Sequence, residues 1–565
     1  MKKIFAIIVV CIATVHTIDA QNFEWAISFG GSGQELCESS ALDASGNVYT
    51  TGYFHNTVDF DPGAGTANLT APGVSPNIFV QKMDPSGNFL WAKSFGGEFG
   101  DFTYDISIGP DGNVYTTGHF VGTADFDPGT GTTELTSVGG LDIFVQKMDP
   151  SGNFLWAKVF GGTGWDESRS ISTDNAGNVY ITGQFEGTAD FDPGVGTMNL
   201  TAAGNRDIFV QKLDPSGNFI WAKSFGGTDF DGGLSLSVDA AGNVYTTGYH
   251  QGTADLDPSE GVDEYSSAGF KDIFIQKMDA SGNFLWAKTF GGTASEEGVS
   301  IALDAQDNIV ATGQFGGTID FDPGDGVVNI TATGALSTFV LKLDGAGDFL
   351  WAKEFGGSGA AAFGKGVCFD QEENVYVTGV FSETVDFDPG TGQANLSSNG
   401  AYDMFVQKMD ASGNFQWAVA FGGIEFDWAL TTNVDDMGSV YTTGWYSGTI
   451  DFDPGAGTTN LSSFGNGDIF AQKLSQDMTT GIFELGQGIE VTVYPNPNAG
   501  SFLFSIKQAI NDVEITLTDM QGRVVYEQVV NAPSNSSVEF DGPAGMYLLT
   551  VRTPNRQSVI KLIKE

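Results

Sequence analysis

The sequence predicts an all-β chain: a seven-bladed β-propeller whose last blade is closed by the N-terminal strand, followed by a small Ig-like β-sandwich. Three observations predict it. Seven tryptophans, Trp25, Trp91, Trp156, Trp221, Trp286, Trp351 and Trp417, recur every 65 or 66 residues in one phrase, typified by Asn-Phe-Leu-Trp-Ala-Lys-Ser-Phe-Gly-Gly at 88–97. A fixed period of that length is one supersecondary unit repeated, with neighbouring copies sharing a core. Each period also holds four strand-like stretches separated by turn residues. Finally, the first period opens on a lone fourth strand (23–29) and the last ends on a lone third strand (468–474). The piece missing at one end is the piece spare at the other, as a ring requires.

The elements follow in order. Met1-Lys2-Lys3, the apolar run from Ile4 to Val15 and Ala20 read as a signal peptide over 1–20. Its core is short for a membrane span, and nothing else in the chain approaches one. The propeller is expected over 22–474. In its second period, strands at 104–108 and 113–118 flank the turn Pro110-Asp111-Gly112, and strands at 142–148 and 154–158 flank Asp149-Pro150-Ser151-Gly152. Proline fixes φ and glycine supplies positive φ, so both hairpins have a mechanism. Strands apolar on both faces suit a blade held between two neighbours. A linker is expected over 475–489 and a small β-sandwich over 490–565. The mature chain keeps Cys37 and Cys368, in the first and sixth blades, where a ring of seven does not make them neighbours.

The phrases Gly-Asn-Val-Tyr-Thr-Thr-Gly, Asp-Ile-Phe-Val-Gln-Lys-Met-Asp-Pro-Ser-Gly-Asn and Phe-Gly-Gly resemble the SBBP class of bacterial β-propeller repeat over about residues 22–475. That resemblance implies a fold and no shared catalytic residues. The C-terminal stretch carries Tyr494-Pro495-Asn496-Pro497, Asp519-Met520-Gln521-Gly522-Arg523, Gly545-Met546-Tyr547 and a lysine-bearing end. In that order these elements resemble the type A sorting domain of the type IX secretion system. The resemblance implies export to the cell surface or medium, with the secretion machinery as a partner.

The net charge of −46 falls almost wholly on the repeats, since acids and bases nearly balance from Val491 onward (7 against 6). Nucleic acid and anionic membrane are repelled. Among the bases, the third-strand lysines (Lys82, Lys147, Lys212, Lys277, Lys342, Lys408, Lys473) read as guards against edge-to-edge pairing. The acids fall in two loop families that an up-and-down blade places on one face. One is Asp-x-Asp-Pro after the second strand: Asp59 and Asp61, Asp125 and Asp127, Asp190 and Asp192, Asp255 and Asp257, Asp320 and Asp322, Asp386 and Asp388, Asp451 and Asp453. The other follows Phe-Gly-Gly and includes Glu35, Glu38, Asp101, Asp105, Asp166, Glu167, Asp231, Glu296 and Asp427. A densely acidic face, studded with aromatics such as Trp165 and Trp428, is the expectation.

Residues i and i+2 of an extended segment point the same way, which puts the paired carboxylates about 7 Å apart. Oxygen-rich loops of this kind suit Ca²⁺, so the fourteen aspartates are candidate metal ligands. The competing role is structural: the second aspartate can cap its Pro-Gly turn and the first can take backbone donors. The residue after Thr-Gly varies most among blades, giving Tyr53, His119, Tyr249 and Trp445, with Trp165 and Trp428, as ligand-face candidates. No nucleophile–base pair or phosphate loop is visible. The expectation is a monomeric, non-enzymatic surface or secreted protein that binds a glycan or another extracellular macromolecule, with Ca²⁺ a candidate cofactor. An extracellular enzyme acting on polysaccharide and a purely structural surface role stand as alternatives.

Overall fold

The computed structural model describes residues 21–476 and, beyond them, 491–494, 501–519, 523–540, 542–543, 545–553 and 556–564. The signal peptide and all but two residues of the expected linker lie outside these. Those two, Ser475 and Gln476, extend the last strand of the repeats, Asp468–Gln476. The chain divides into two compact units after Gln476.

Every described element of the first unit is a strand or a turn. Seven antiparallel sheets share one design, in which four strands run in chain order from inside to outside. In the second sheet these are Phe102–Ile108, Val114–Phe120, Asp142–Met148 and Phe154–Gly162. The seventh sheet takes Trp428–Val434, Val440–Tyr446 and Asp468–Gln476 from the chain's far end, and its fourth strand is Gln21–Phe29. The first strand of each sheet packs on that of the next, and the first strand of the seventh sheet packs on that of the first. The join is bonded like any other: Glu35 N donates to Gly467 O, and Trp25 Nε1 donates to Pro85 O in the first sheet.

The repeated phrases now have reasons. Second and third strands are buried at nearly every position, hence their unbroken Val, Ile, Phe and Tyr content. Each Asp-Pro-Ser-Gly-Asn turn is a closed knot. Asp149 Oδ1 accepts from Ser151 N and Asn153 N, while Gly152 takes φ +77°. The phrase tryptophan reaches to the next blade, as Trp91 Nε1 donates to Pro150 O and its ring meets Tyr49 edge-on at 6.0 Å. The third-strand lysines are not edge guards. Lys147 is buried, lies over the Tyr115 ring, pairs with Asp111 and donates to Pro215 O in the next blade. A third strand is internal, so its lysine ties blade to blade instead of protecting an edge.

The connection after each second strand is a hairpin of two three-residue strands, such as Thr123–Asp125 with Glu134–Thr136. It reaches backwards: Ala124 and Asp125 pair with Gly97 and Gly96 of the preceding blade's fourth strand. The C-terminal unit is a separate five-stranded sheet, Val491–Tyr494, Ser501–Asp519, Val524–Glu539, Gly545–Thr553 and Arg556–Lys564, around a core that includes Val513, Ile515, Leu517, Leu549 and Val551.

Candidate functional site

Each first strand carries one residue too many for its partner. The register slips between Thr103 and Asp105, which leaves Tyr104 unpaired opposite the second strand. The same bulge recurs in all seven blades. A bulge brings the strands' backbones unusually close. Here the carbonyl of Phe102 lies against Gly118, where a Cβ would collide with it, and Gly52, Gly183, Gly248, Gly313, Gly379 and Gly444 repeat the contact. That is why every second strand contains Thr-Gly.

The bulged residue, like the residue after Thr-Gly, is a place where the repeats refuse to match. Around the ring it is Glu38, Tyr104, Arg169, Leu234, Val299, Lys365 and Leu430. All seven line one axial cavity of about 440 Å³. The next position is nearly uniform, with Ser39, Ser170, Ser235, Ser300 and Thr431, and it fastens neighbouring first strands. Ser39 Oγ donates to Asp105 Oδ1 at 2.7 Å, Ser170 Oγ to Asp105 Oδ2 at 2.9 Å, and Ser235 Oγ accepts from Ile301 N at 3.2 Å. A stable hydroxyl belt therefore supports a varied layer of side chains.

That layer is charged and aromatic. Arg169 Nη2 donates to Glu167 Oε2 at 2.8 Å and the guanidinium lies 4.2 Å from the Tyr104 ring, while its buried Nε has no hydrogen-bond partner. Lys365 Nζ stands 5.2 Å from the Trp428 ring and 5.9 Å from Phe363. Burial lowers its affinity for a proton, and Glu297 and Glu38 oppose that. Glu38 feels Arg169 and Lys365 only through space. Burial dominates and pushes its carboxyl up to about 7.

The residues after Thr-Gly sit one layer higher, each directly across from the first residue of the inner strand. Tyr53 meets Phe102 at 4.8 Å, His119 lies between Phe102 and Tyr104, and Trp445 stacks on Trp428 at 6.1 Å. Tyr249 carries Lys271 Nζ 3.6 Å from its ring centroid, and that lysine pairs with Glu297 at 2.6 Å. His119 is buried, which pushes it down to about 4. Five of the sequence candidates, Tyr53, His119, Tyr249, Trp428 and Trp445, thus stand on the first and second strands beside the bulge ring, and none of them lines the cavity itself. Trp165 stands apart in a loop, 53% exposed, under the Arg206 guanidinium.

The fourteen Asp-x-Asp-Pro carboxylates do not line the cavity; they lie at the short hairpins, where their Oδ1 atoms take the turn-capping role. The first of each pair is engaged by two backbone donors. Asp125 Oδ1 accepts from Asp127 N and Thr133 N, and Asp59, Asp190, Asp255, Asp320, Asp386 and Asp451 repeat both bonds. The second of each pair caps its own turn. Asp127 Oδ1 accepts from Gly129 N, and Asp61, Asp192, Asp257, Asp322, Asp388 and Asp453 each accept from the backbone N two residues on. Each of these bonds ends on Oδ1, so the carboxylates serve as turn caps through one oxygen. Among the described residues, no group of three or more His, Cys, Asp or Glu is placed to hold a metal ion.

The expected acidic face is also thinner than the sequence suggests. Glu35, Asp101, Asp166, Asp231, Glu296 and Asp427 are fully buried, because each folds back to cap backbone N–H groups of its own loop.

Residues 350–380 match the family described as Beta-propeller repeat, and residues 492–565 match the Secretion system C-terminal sorting domain. The chain is a type IX secreted, cell-surface protein. Among curated proteins, an uncharacterized WD repeat-containing protein of Acanthamoeba polyphaga mimivirus is 26% identical over 75% of this chain and 36% of its own length. The regulatory protein FlaEY of Caulobacter vibrioides is 24% identical over 53% of this chain and 31% of its own length. The secreted chain thus spans about a third of the curated relatives it matches. Among solved structures, PorZ, described as an essential surface component of the type IX secretion system of Porphyromonas gingivalis, shares 11% identity at a TM-score of 0.18, with 96% of this chain and all of that one covered. Among the described residues, no helix is long and apolar enough to cross a membrane.

Proposed function

We propose that this chain is a non-enzymatic binding protein of the cell surface, built as a closed seven-bladed propeller with an Ig-like sorting domain, and that the mouth of its axial cavity binds the end of an extracellular glycan. The observation that carries the reading is the bulge ring. Seven repeats agree nearly everywhere, yet at the position that faces the cavity they present seven side chains of six kinds. Trp428, Trp445, Tyr53 and Phe102 offer flat apolar faces of the kind that stack on sugar rings, and Arg169, Lys365 and Glu38 offer hydrogen-bonding charge beside them. The proposal gives no cation to the Asp-x-Asp-Pro turns, because backbone donors already engage their carboxylates. A glycan array probed with the mature protein, with and without EDTA, tests both points. Calcium-independent signal that Trp428→Ala abolishes supports them, and signal lost in EDTA restores the calcium reading.

A second reading rests on one observation. A carboxyl held near 7 by burial, as Glu38 is, can give up a proton at neutral pH, as the general acid of a polysaccharide-active enzyme must. Turnover of any polysaccharide, lost in Glu38→Gln, would favour that enzyme over a binding protein. For the C-terminal unit, truncation after Gln476 is expected to leave the protein in the periplasm. Its appearance at the surface would contradict the sorting role.

A further inference from the structure

At the junctions between blades two buried carboxylates face each other, both of them against the first glycine of Phe-Gly-Gly at Gly161 and Gly226. One comes from the loop that follows and the other from the start of the third strand. The pairs are Asp166 with Asp142, Asp231 with Asp207, Glu296 with Asp272, Asp427 with Asp403, and Glu35 with Asp468. A Cβ built on Gly161 would lie 3.0 Å from Asp166 Oδ2 and 3.1 Å from Asp142 Oδ1, so the two oxygens are no further apart than those lengths combined. All ten residues are nine-tenths or more buried.

Their hydrogen bonds leave at least one oxygen of each pair stranded, and two where the loop acid is Glu35 or Glu296. Asp166 caps Gly162 N and Glu186 N, and Asp142 Oδ2 caps Val138 N, but Asp142 Oδ1 has no partner. Asp207 Oδ1, Asp272 Oδ1, Asp403 Oδ1 and Asp468 Oδ1 are stranded in the same way. Among the described residues, the other charges felt there are not cations but the acids Glu186, Asp229 and Glu425, and the histidine that stands across the strand from Asp272 is His250. Two unneutralised carboxylates out of water and this close are very costly, whereas one proton both removes a charge and turns the stranded oxygen into a donor.

The repeats supply an internal control. Where the loop acid is missing, at Ala361, the third strand begins with Ser337 and not aspartate. At the remaining junction Asp101 faces Asn77, an amide in place of the second acid. Both positions change at the Ala361–Ser337 junction, whereas at Asp101–Asn77 only the third-strand acid is replaced, so no junction keeps the third-strand aspartate without the loop acid.

We propose that each of the five junction pairs holds one proton in the neutral range, so that the ring is tightest in mildly acidic surroundings and loosens as the medium turns alkaline. The loop acids bear this out in direction: burial, reinforced by the facing aspartate, raises Asp166 and Asp427 to about 6 and Glu35 and Asp231 to about 7. A carboxyl raised on folding contributes stability that is complete below its unfolded value and is lost as pH climbs through the folded one, here between about 4 and about 7. Raised Glu38 acts in the same sense, while His119 and His250, pushed down to about 4, oppose it only on the acid side.

The test is thermal unfolding of the full mature chain between about pH 5.5 and about pH 8.5. The wild type is expected to melt several degrees lower at the alkaline end. A combined Asp142→Asn, Asp207→Asn, Asp403→Asn and Asp468→Asn variant copies the Asn77 junction and spares the pair beside His250. Asp101, which faces Asn77, is itself raised to about 7 by burial. The variant is therefore expected to keep the part of the slope that burial alone supplies, to lose the part due to the facing aspartates, and to melt above the wild type at alkaline pH. Should the variant fail to fold, infrared absorption of the wild type at neutral pH decides, since protonated carboxyl bands are required. A flat or rising wild-type profile, absent carboxyl bands, or a variant with the parental slope overturns the proposal. So does calcium chloride that removes the slope, which would make the junctions cation sites.

Discussion

Two regions of the same repeat obey opposite rules. The outer part of each blade, with its Asp-Pro-Ser-Gly-Asn turn, its docked tryptophan and its inward lysine, is nearly identical in every copy. Most of its polar groups have a set partner, often on the next blade, although Trp286 Nε1 and Trp417 Nε1 do not. At the inner strand the bulged residue is acidic, aromatic, basic or aliphatic depending on the blade, and it faces an open cavity. Sameness is what a self-packing ring needs, since each interface must fit the next. Difference at a single register position costs the ring little, and a ligand can be recognised there.

The comparison can be broken most severely at the closure. Deleting residues 21–29 strips the Asp468–Gln476 strand of its partner and removes the Trp25–Tyr441 contact. Loss of a single cooperative melting transition is expected, by calorimetry. Gly118→Ala forces a Cβ into the Phe102 carbonyl that the bulge pushes forward, and about 1–3 kcal/mol should be lost in urea unfolding. Asp320→Ala in a hairpin turn orphans Asp322 N and Val328 N. The expected cost is about 1–2 kcal/mol, unchanged by EDTA, because the interaction lost is a backbone cap and not a metal ligand. Lys365→Leu installs the residue that blades four and seven already carry at this position, so unfolding is expected to shift by less than about 0.5 kcal/mol.

How much of this was legible follows the same division. The strands, the turns and the pairing of the first strand with the last strand of the repeats were readable because proline, glycine and tryptophan recur at a fixed period and each has a local mechanism. The short hairpins escaped because three residues cannot establish a strand pattern. The turn-cap role of the paired aspartates was the stronger reading in sequence, and the backbone donors on their Oδ1 atoms show those caps formed. The buried junction acids were misplaced onto the surface, since a carboxylate that caps its own loop looks, in sequence, like any exposed one. The bulge ring was missed for a subtler reason. Tyr104, Arg169, Leu234, Val299 and Leu430 reach the cavity through a register slip, and alternation alone cannot reveal a slip. The signal was present one strand away, in the glycine of every Thr-Gly, which only a close backbone neighbour demands. Tyr53, His119, Tyr249 and Trp445 were found because they vary, and they stand directly above the ring that varies more.

The central claim is that binding lives in the bulge ring and stability in the repeats. Its most direct test is a glycan array run on the wild type beside Lys365→Leu and Arg169→Lys, which keeps a positive charge beside the buried Glu167, with melting temperatures taken on the same preparations. The account predicts that the wild type's glycan signal vanishes in both variants while their melting temperatures stay with the parent. A signal that survives both substitutions, or one that falls only in step with stability, would contradict it.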